Sequence, residues 1–209
     1  MSAAAEVLCR ICNKRRPKRF CPGVGGDICA ICCGTEREVT VTCPFECPFL
    51  REARLRDPEP DIDPRKFPHP EIKIDEGFLQ KNEALLLLTA GALAKAAINT
   101  EGAIDYDVRE SLESLVRTYL TTQSGLIYES RPANILAARI HAAVQERMSE
   151  FRERIPQIRD AEVLGVLAFL QRLEIQHNNE RPRGRRFIDR MREFFPPMAA
   201  QESGNLVVP

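Results

Sequence analysis

The chain has 209 residues, 44% of them hydrophobic, so it is long enough to bury a core and sits in the size range of one ordinary domain or a small module on a larger one. Its 30 basic and 30 acidic residues cancel. That balance excludes a generic polycation that wraps nucleic acid, though not a local basic patch.

Met1 to Leu8 lacks the basic start and the long apolar run of a secretion signal. The least charged stretch, Ala84 to Ala94, is far shorter than the roughly 20 residues a membrane-crossing helix needs. These features predict a soluble, cytoplasmic protein, in a compartment where structural disulfides are rare.

All eight cysteines lie between Cys9 and Cys47, in the pattern C-x2-C-x8-C-x7-C-x2-C-C-x9-C-x3-C. Cys9/Cys12 and Cys29/Cys32 are C-x2-C units, whose short loop lets two sulfurs reach one ion. Zinc takes four soft ligands in a tetrahedron, so two such units complete a site. The four remaining thiols, Cys21, Cys33, Cys43 and Cys47, complete a second. In a rival pairing, Cys9, Cys12, Cys32 and Cys33 share one ion, and Cys21, Cys29, Cys43 and Cys47 the other. The first is preferred because the adjacent Cys32 and Cys33 are easier to place on different ions. Either way the expectation is two structural zinc ions in a cross-braced finger. Disulfides, a redox C-x2-C pair and an iron–sulfur cluster are the competing chemistries.

Glycines 23, 25 and 26 supply turns within the finger, and Glu38 to Thr42 alternates like a short strand. Phe45, Phe49 and Leu50 are its expected core. A finger of this size buries little apolar surface, so metal binding would supply much of its folding energy. None of the three histidines, His69, His141 and His177, falls inside the cysteine cluster, and no ligand pattern marks a catalytic zinc.

Arg51 to Arg56 reads as a short closing helix. Residues 57–73 hold Pro58, Pro60, Pro64, Pro68 and Pro70, which describes an extended connector. From Asp75, an N-cap, one helix is expected to run through Asn99. Asp105 to Gln123 carries an apolar stripe from Val108 to Leu120. Ser130 and Pro132 signal the start of a helix reaching about Arg154, and Asp160 starts another. A last short helix spans about Gly184 to Phe195. The fold class is therefore mostly α: a two-zinc, cysteine-rich module over 1–56, a Pro-rich linker over 57–73, an antiparallel helical bundle over 74–196 and a flexible tail over 197–209.

No nucleotide-binding, H-E-x-x-H or G-x-S-x-G motif is present, and the expected protein is not an enzyme. Glu110 and Glu113 read as solvated surface. Tyr119, Tyr128 and the run Thr121 to Ser124 are where a pocket would lie if there were one. Two basic patches stand out. Arg15, Arg16, Lys18 and Arg19 lie in the finger, where residues 1–35 carry a local charge of +4. They would contact phosphates, with Phe20 as a stacking face, or simply offset the negative charge of zinc-bound thiolates. Arg181, Arg183, Arg185, Arg186, Arg190 and Arg192 flank the last helix; they would bind RNA, a membrane surface or an acidic partner, but the preferred reading packs the helix's aromatic face on the bundle and leaves the arginines in water.

The run CRICNKRRPKRFCPGVGGDICAICCGTEREVTVTCPFECPFLREAR resembles an N-terminal cysteine-rich segment of uncharacterised bacterial proteins, and RTYLTTQSGLIYESRPAN looks like a second block shared with them. That group carries no transferable activity. The finger is also loosely similar to cross-braced B-box or HIT-type zinc fingers, which implies a structural, interaction-type module. Those fingers commonly use His, whereas every candidate here is Cys. The functional expectation is a zinc-binding adaptor for a macromolecular partner, protein first. DNA or RNA binding through the finger's basic patch is the alternative, and a small enzyme with a pocket in the bundle ranks last.

Overall fold

Local turn chemistry builds the N-terminal region. A computed structural model describes residues 7–57, 62–63, 65, 67–125 and 128–195. Strands β1 (Arg19–Cys21) and β2 (Gly26–Ile28) pair antiparallel, with Arg19 opposite Ile28 and Cys21 opposite Gly26. Gly25 turns the chain at a φ of 64°, a conformation that suits glycine. Gly23 is required for a different reason: a Cβ there would lie 2.6 Å from the Thr42 carbonyl oxygen, so only glycine lets the hairpin lie on the segment leading to Cys43. The loop before β1 is tied to the hairpin by hydrogen bonds from the Arg10 amide to the Asp27 carbonyl and from Lys18 to Ile28, both 2.9 Å.

Helix α1 (Ala30–Glu36) starts at Cys29, whose sulfur accepts the Cys32 amide at 3.4 Å. The expected strand over Glu38 to Thr42 does not form; only an isolated bridge joins Arg37 and Val41. The Glu36 carbonyl instead accepts the amides of Val39, Thr40 and Val41, and Glu38 sits at a φ of 54°. A tight turn has taken the backbone donors that a ladder would use. Helix α2 (Pro48–Arg54) begins before the expected Arg51, with Pro48 in its first turn.

Six helices follow: α3 (Glu76–Lys81), α4 (Glu83–Asn99), α5 (Asp105–Gln123), α6 (Ile135–Arg154), α7 (Asp160–His177) and α8 (Arg186–Phe194). Asp75 does cap the first of them, its carboxylate accepting the Phe78 amide at 2.7 Å. The single helix expected from Asp75 to Asn99 is broken at Asn82. That side chain donates to the Phe78 carbonyl at 2.9 Å and competes with the helical ladder. The break seats Phe78 against Gly165 of α7, where a Cβ would run into its ring. Ser130 is not the cap of α6. Asn134 is, accepting the Leu136 amide at 2.7 Å, while the Ser130 amide donates to the Thr118 hydroxyl of α5. Glu110, expected in solvent, accepts the Ala133 amide at 2.8 Å and steers the chain into α6.

The core is continuous across the bundle. Leu93, Val108, Leu112, Leu115, Ile140, Val144, Leu167, Leu170, Phe187 and Ile188 all belong to it. Helix α5 packs most extensively on α7, and α6 packs on both α4 and α5. No helix among the described residues is long and apolar enough to cross a membrane. The tail over 197–209 and Pro58, Pro60 and Pro64 of the linker lie outside the described residues; Arg172 holds the end of the linker by donating to the Ile72 carbonyl at 3.0 Å.

Two buried carboxyls tie the helices together. Asp105 caps α8 from the start of α5, accepting the amides of Phe187 and Ile188 at 2.9 and 3.1 Å. Burial pushes it up to about 6 despite those donors. Glu174 on α7 is fully buried and pairs with Arg109 of α5 at 2.8 Å; burial outweighs that partner and raises it to about 7. Both titrate higher in the folded chain than in an unfolded one, where carboxyls lie near 4. The stability they contribute is therefore fully present below about pH 4 and is lost as pH rises through 6 and 7. Carbon-13 NMR of the two side-chain carboxyls should place their midpoints near 6 and 7. Midpoints near 4 for both would refute this assignment.

Candidate metal centre

Four sulfurs converge where the first loop meets the start of α1. The Sγ atoms of Cys9, Cys12, Cys29 and Cys32 all lie within 4.8 Å of one another. A tetrahedron with metal–sulfur bonds of about 2.3 Å has edges of about 3.8 Å, so an ion needs only a small contraction to reach all four. The two C-x2-C units are held by different devices. In the first, the Asn13 amide donates to the Cys9 carbonyl at 2.8 Å, with Asn13 at a φ of 50°. In the second, Cys29 occupies the N-cap of α1 and Cys32 its first turn.

The sulfurs are supplied with donors as metal-bound thiolates are. Cys9 accepts the Cys29 amide at 3.2 Å. Burial raises the Cys9 thiol, but the amides of Cys12, Cys29 and Ile11 outweigh burial and bring it down to about 6. Cys32 moves the other way, to about 12, because it is buried and crowded by the sulfurs of Cys29, Cys12 and Cys9. Four sulfurs packed this closely cannot all carry charge without a cation, and a divalent ion bound there would replace the protons.

Among the described residues no second group satisfies the same condition. The expectation of two formed sites is corrected to one four-cysteine cluster that can hold a single metal ion. The shortfall lies in the second set of four, whose sulfurs do not converge. Cys32 and Cys33 occupy a helix rather than an extended segment and still diverge, Cys32 turning inward and Cys33 remaining half-buried. Cys21, Cys43 and Cys47 gather around Val41 and Leu50 instead. Cys43 is raised first by burial and then by the negative charges of Glu38, Cys47 and Cys21.

The basic finger residues divide. The Arg15 guanidinium sits beside the Cys29 sulfur, which helps to raise its own pKa. Arg19 lies 3.8 Å above the Phe49 ring and donates to the Cys33 sulfur. Arg15 itself, Arg16 and Lys18 are all exposed. Half of the expected phosphate-binding set is thus turned toward sulfur.

The larger departure concerns the second arginine patch, which was expected in water. Arg181 donates to the Arg37 carbonyl at 2.8 Å, Arg183 to the Thr42 hydroxyl at 3.1 Å, and Arg192 pairs with Glu46 at 2.7 Å. Arg185 and Arg192 stack on Phe45 at 3.8 and 4.7 Å. Phe45, assigned from the sequence to the finger's own core, packs into the bundle core. At the centre lies Glu38, 2% exposed. Its carboxylate accepts from Arg54 at 2.7 Å, Asn179 at 2.8 Å and the Arg185 amide at 3.1 Å, and Arg54 also pairs with Asp189 of α8. The cysteine module and the bundle are thereby locked together. Sequence pattern missed Glu38 because a lone Glu in an alternating stretch reads as surface; its one signal was an acidic residue inside a positively charged finger.

The polar run near Tyr119 is also spent locally. Thr121 donates to the Thr118 carbonyl at 2.8 Å, Thr122 to the same carbonyl at 3.0 Å, and Ser124 to Thr121 at 2.7 Å. One cavity, of about 680 Å³, lies between α4 and α6 and is lined by Leu87, Gly91, Lys95, Asn99 and Arg147. Comparison with protein-family models, curated proteins and solved structures finds no match for this chain.

Proposed function

We propose that the protein is a non-enzymatic adaptor whose zinc-organised N-terminal finger presents a fixed surface to a protein partner in the cytoplasm. The observation that carries this reading is the exposure of Phe20 and Ile31, 60% and 55%, on the module that the sulfurs and the Glu38 contacts hold in place. Phe20 is on the outer face of β1, and Ile31 is in the first turn of α1, between two metal-site cysteines. Large apolar side chains held at defined positions are the usual anchors of a protein interface. Zinc is the ion of choice because four thiolates drawn into a tetrahedron leave no open position for chemistry. Eight free thiols also suit a reducing compartment.

Nucleic-acid binding is the second reading, favoured by the exposed Arg16 and Lys18, whose removal should then weaken binding in a salt-dependent way. One experiment separates the two. The tagged, zinc-loaded chain is used to recover partners from nuclease-treated and untreated lysate, beside a Phe20→Ser/Ile31→Ser variant. The adaptor reading expects the same protein from both lysates and its loss with the variant. Recovery from untreated lysate alone, lost on replacing Arg16 and Lys18, would overturn it in favour of nucleic acid.

A further inference from the structure

Of the four cysteines outside the formed cluster, three share one small apolar group and the fourth, Cys33, shares another with Cys21. Cys21 ends β1, Cys43 follows the Arg37–Val41 bridge, and Cys47 is the N-cap of α2. Cys21 and Cys47 both pack on the small cluster of Val41, Cys43 and Leu50. Cys21 and Cys33 both pack on the buried residues of the first site, so Cys21 touches both groups. The sulfurs of Cys21, Cys43 and Cys47 do not converge as the first four do, and few contacts hold them. The Cys47 side chain makes no capping hydrogen bond, and Cys43 meets the Glu38 backbone and makes a long contact of 3.8 Å to the Val41 carbonyl. A change between staggered χ1 wells moves a cysteine sulfur by about 3 Å. Cys33 has a different mark. Arg19 and Arg37 approach its sulfur from two sides, each at 3.8 Å. Two guanidinium groups on one sulfur supply the positive charge that a tetrathiolate site, formally −2 with a divalent ion, attracts.

We propose that Cys21, Cys33, Cys43 and Cys47 form a second zinc site that is assembled by the ion itself, the cation drawing the four sulfurs inward as it replaces their protons. The first site is pre-gathered and the second is induced, so the two fill in order. The second ion would cross-brace the hairpin, α1 and the start of α2. This inference rests on the reading of the module as metal-organised.

The test is a titration of the reduced, metal-free full chain with Co²⁺, a zinc surrogate whose thiolate charge-transfer bands count bound sites. Two equivalents per chain are expected, the tighter first. Cys43→Ser and, separately, Cys33→Ser should halve the count to one while the Cys9, Cys12, Cys29 and Cys32 site still fills. Because Cys33 is half-buried on a helix, its serine variant keeps the test valid if Cys43→Ser fails to fold. Saturation of the wild type at one equivalent, or two equivalents in either variant, would overturn the second site and leave the first intact. No binding at all would overturn both.

Discussion

Replacing Cys29 by Ser is expected to abolish the fold of residues 7–57 while leaving helix content in the bundle. Cys29 has three roles at once: it offers one of four clustered sulfurs, caps α1, and donates its amide to Cys9. Serine preserves a capping oxygen but is a poor soft-metal ligand. The apolar residues of the module outside the bundle core are few, with Ile28 and Leu50 the largest fully buried. A core of that size cannot stand alone, and metal binding to comparable small modules contributes about 10–16 kcal/mol of folding free energy near pH 7. Amide exchange read by mass spectrometry is the check. Protection across Cys9 to Arg54 should vanish in the variant, and equally in the wild type with a strong chelator. Full protection in both would mean that side-chain packing, not an ion, holds the module.

The second large effect falls on Glu38→Ala. The substitution leaves Asn179, the Arg185 amide and one arm of Arg54 without their acceptor in a nearly water-free site. Removing one partner from a buried ionic cluster costs about 3–5 kcal/mol, because the remaining charges stay buried. Exposed pairs set the contrast. Glu113 and Arg117 lie at 2.6 Å on the outer face of α5, and breaking them should cost no more than about 0.5 kcal/mol. Urea unfolding of Glu38→Ala and Glu113→Ala, both zinc-loaded, measures the difference. Equal costs would show that Glu38 does not join the module to the bundle.

What the sequence made legible follows the range of the interactions concerned. The starts of α5 and α7, at Asp105 and Asp160, were readable because their apolar spacing and acidic first turns are local signals. The Cys9, Cys12, Cys29 and Cys32 grouping was readable because a C-x2-C unit carries its own loop geometry. The break at Asn82 was not, since it depends on how Phe78 meets Gly165, 87 positions away. Nor was the role of the last arginines. A charge run reads as solvated until its acceptors are known, and here those acceptors are Arg37, Thr42 and Glu46, more than 130 positions earlier. Ser130 and Asn134 both qualify as caps by residue type. Tertiary contact decided between them, because the Ser130 amide is taken by Thr118 of α5.

The central claim is that the N-terminal module is organised by a metal ion on cysteine sulfur. X-ray absorption at the zinc edge of the purified full chain tests it most directly. Four sulfur neighbours at about 2.3 Å with no lighter scatterer in the first shell is the predicted result. A shell containing nitrogen or oxygen, or a folded, metal-free protein with its eight cysteines oxidised to disulfides, would contradict it.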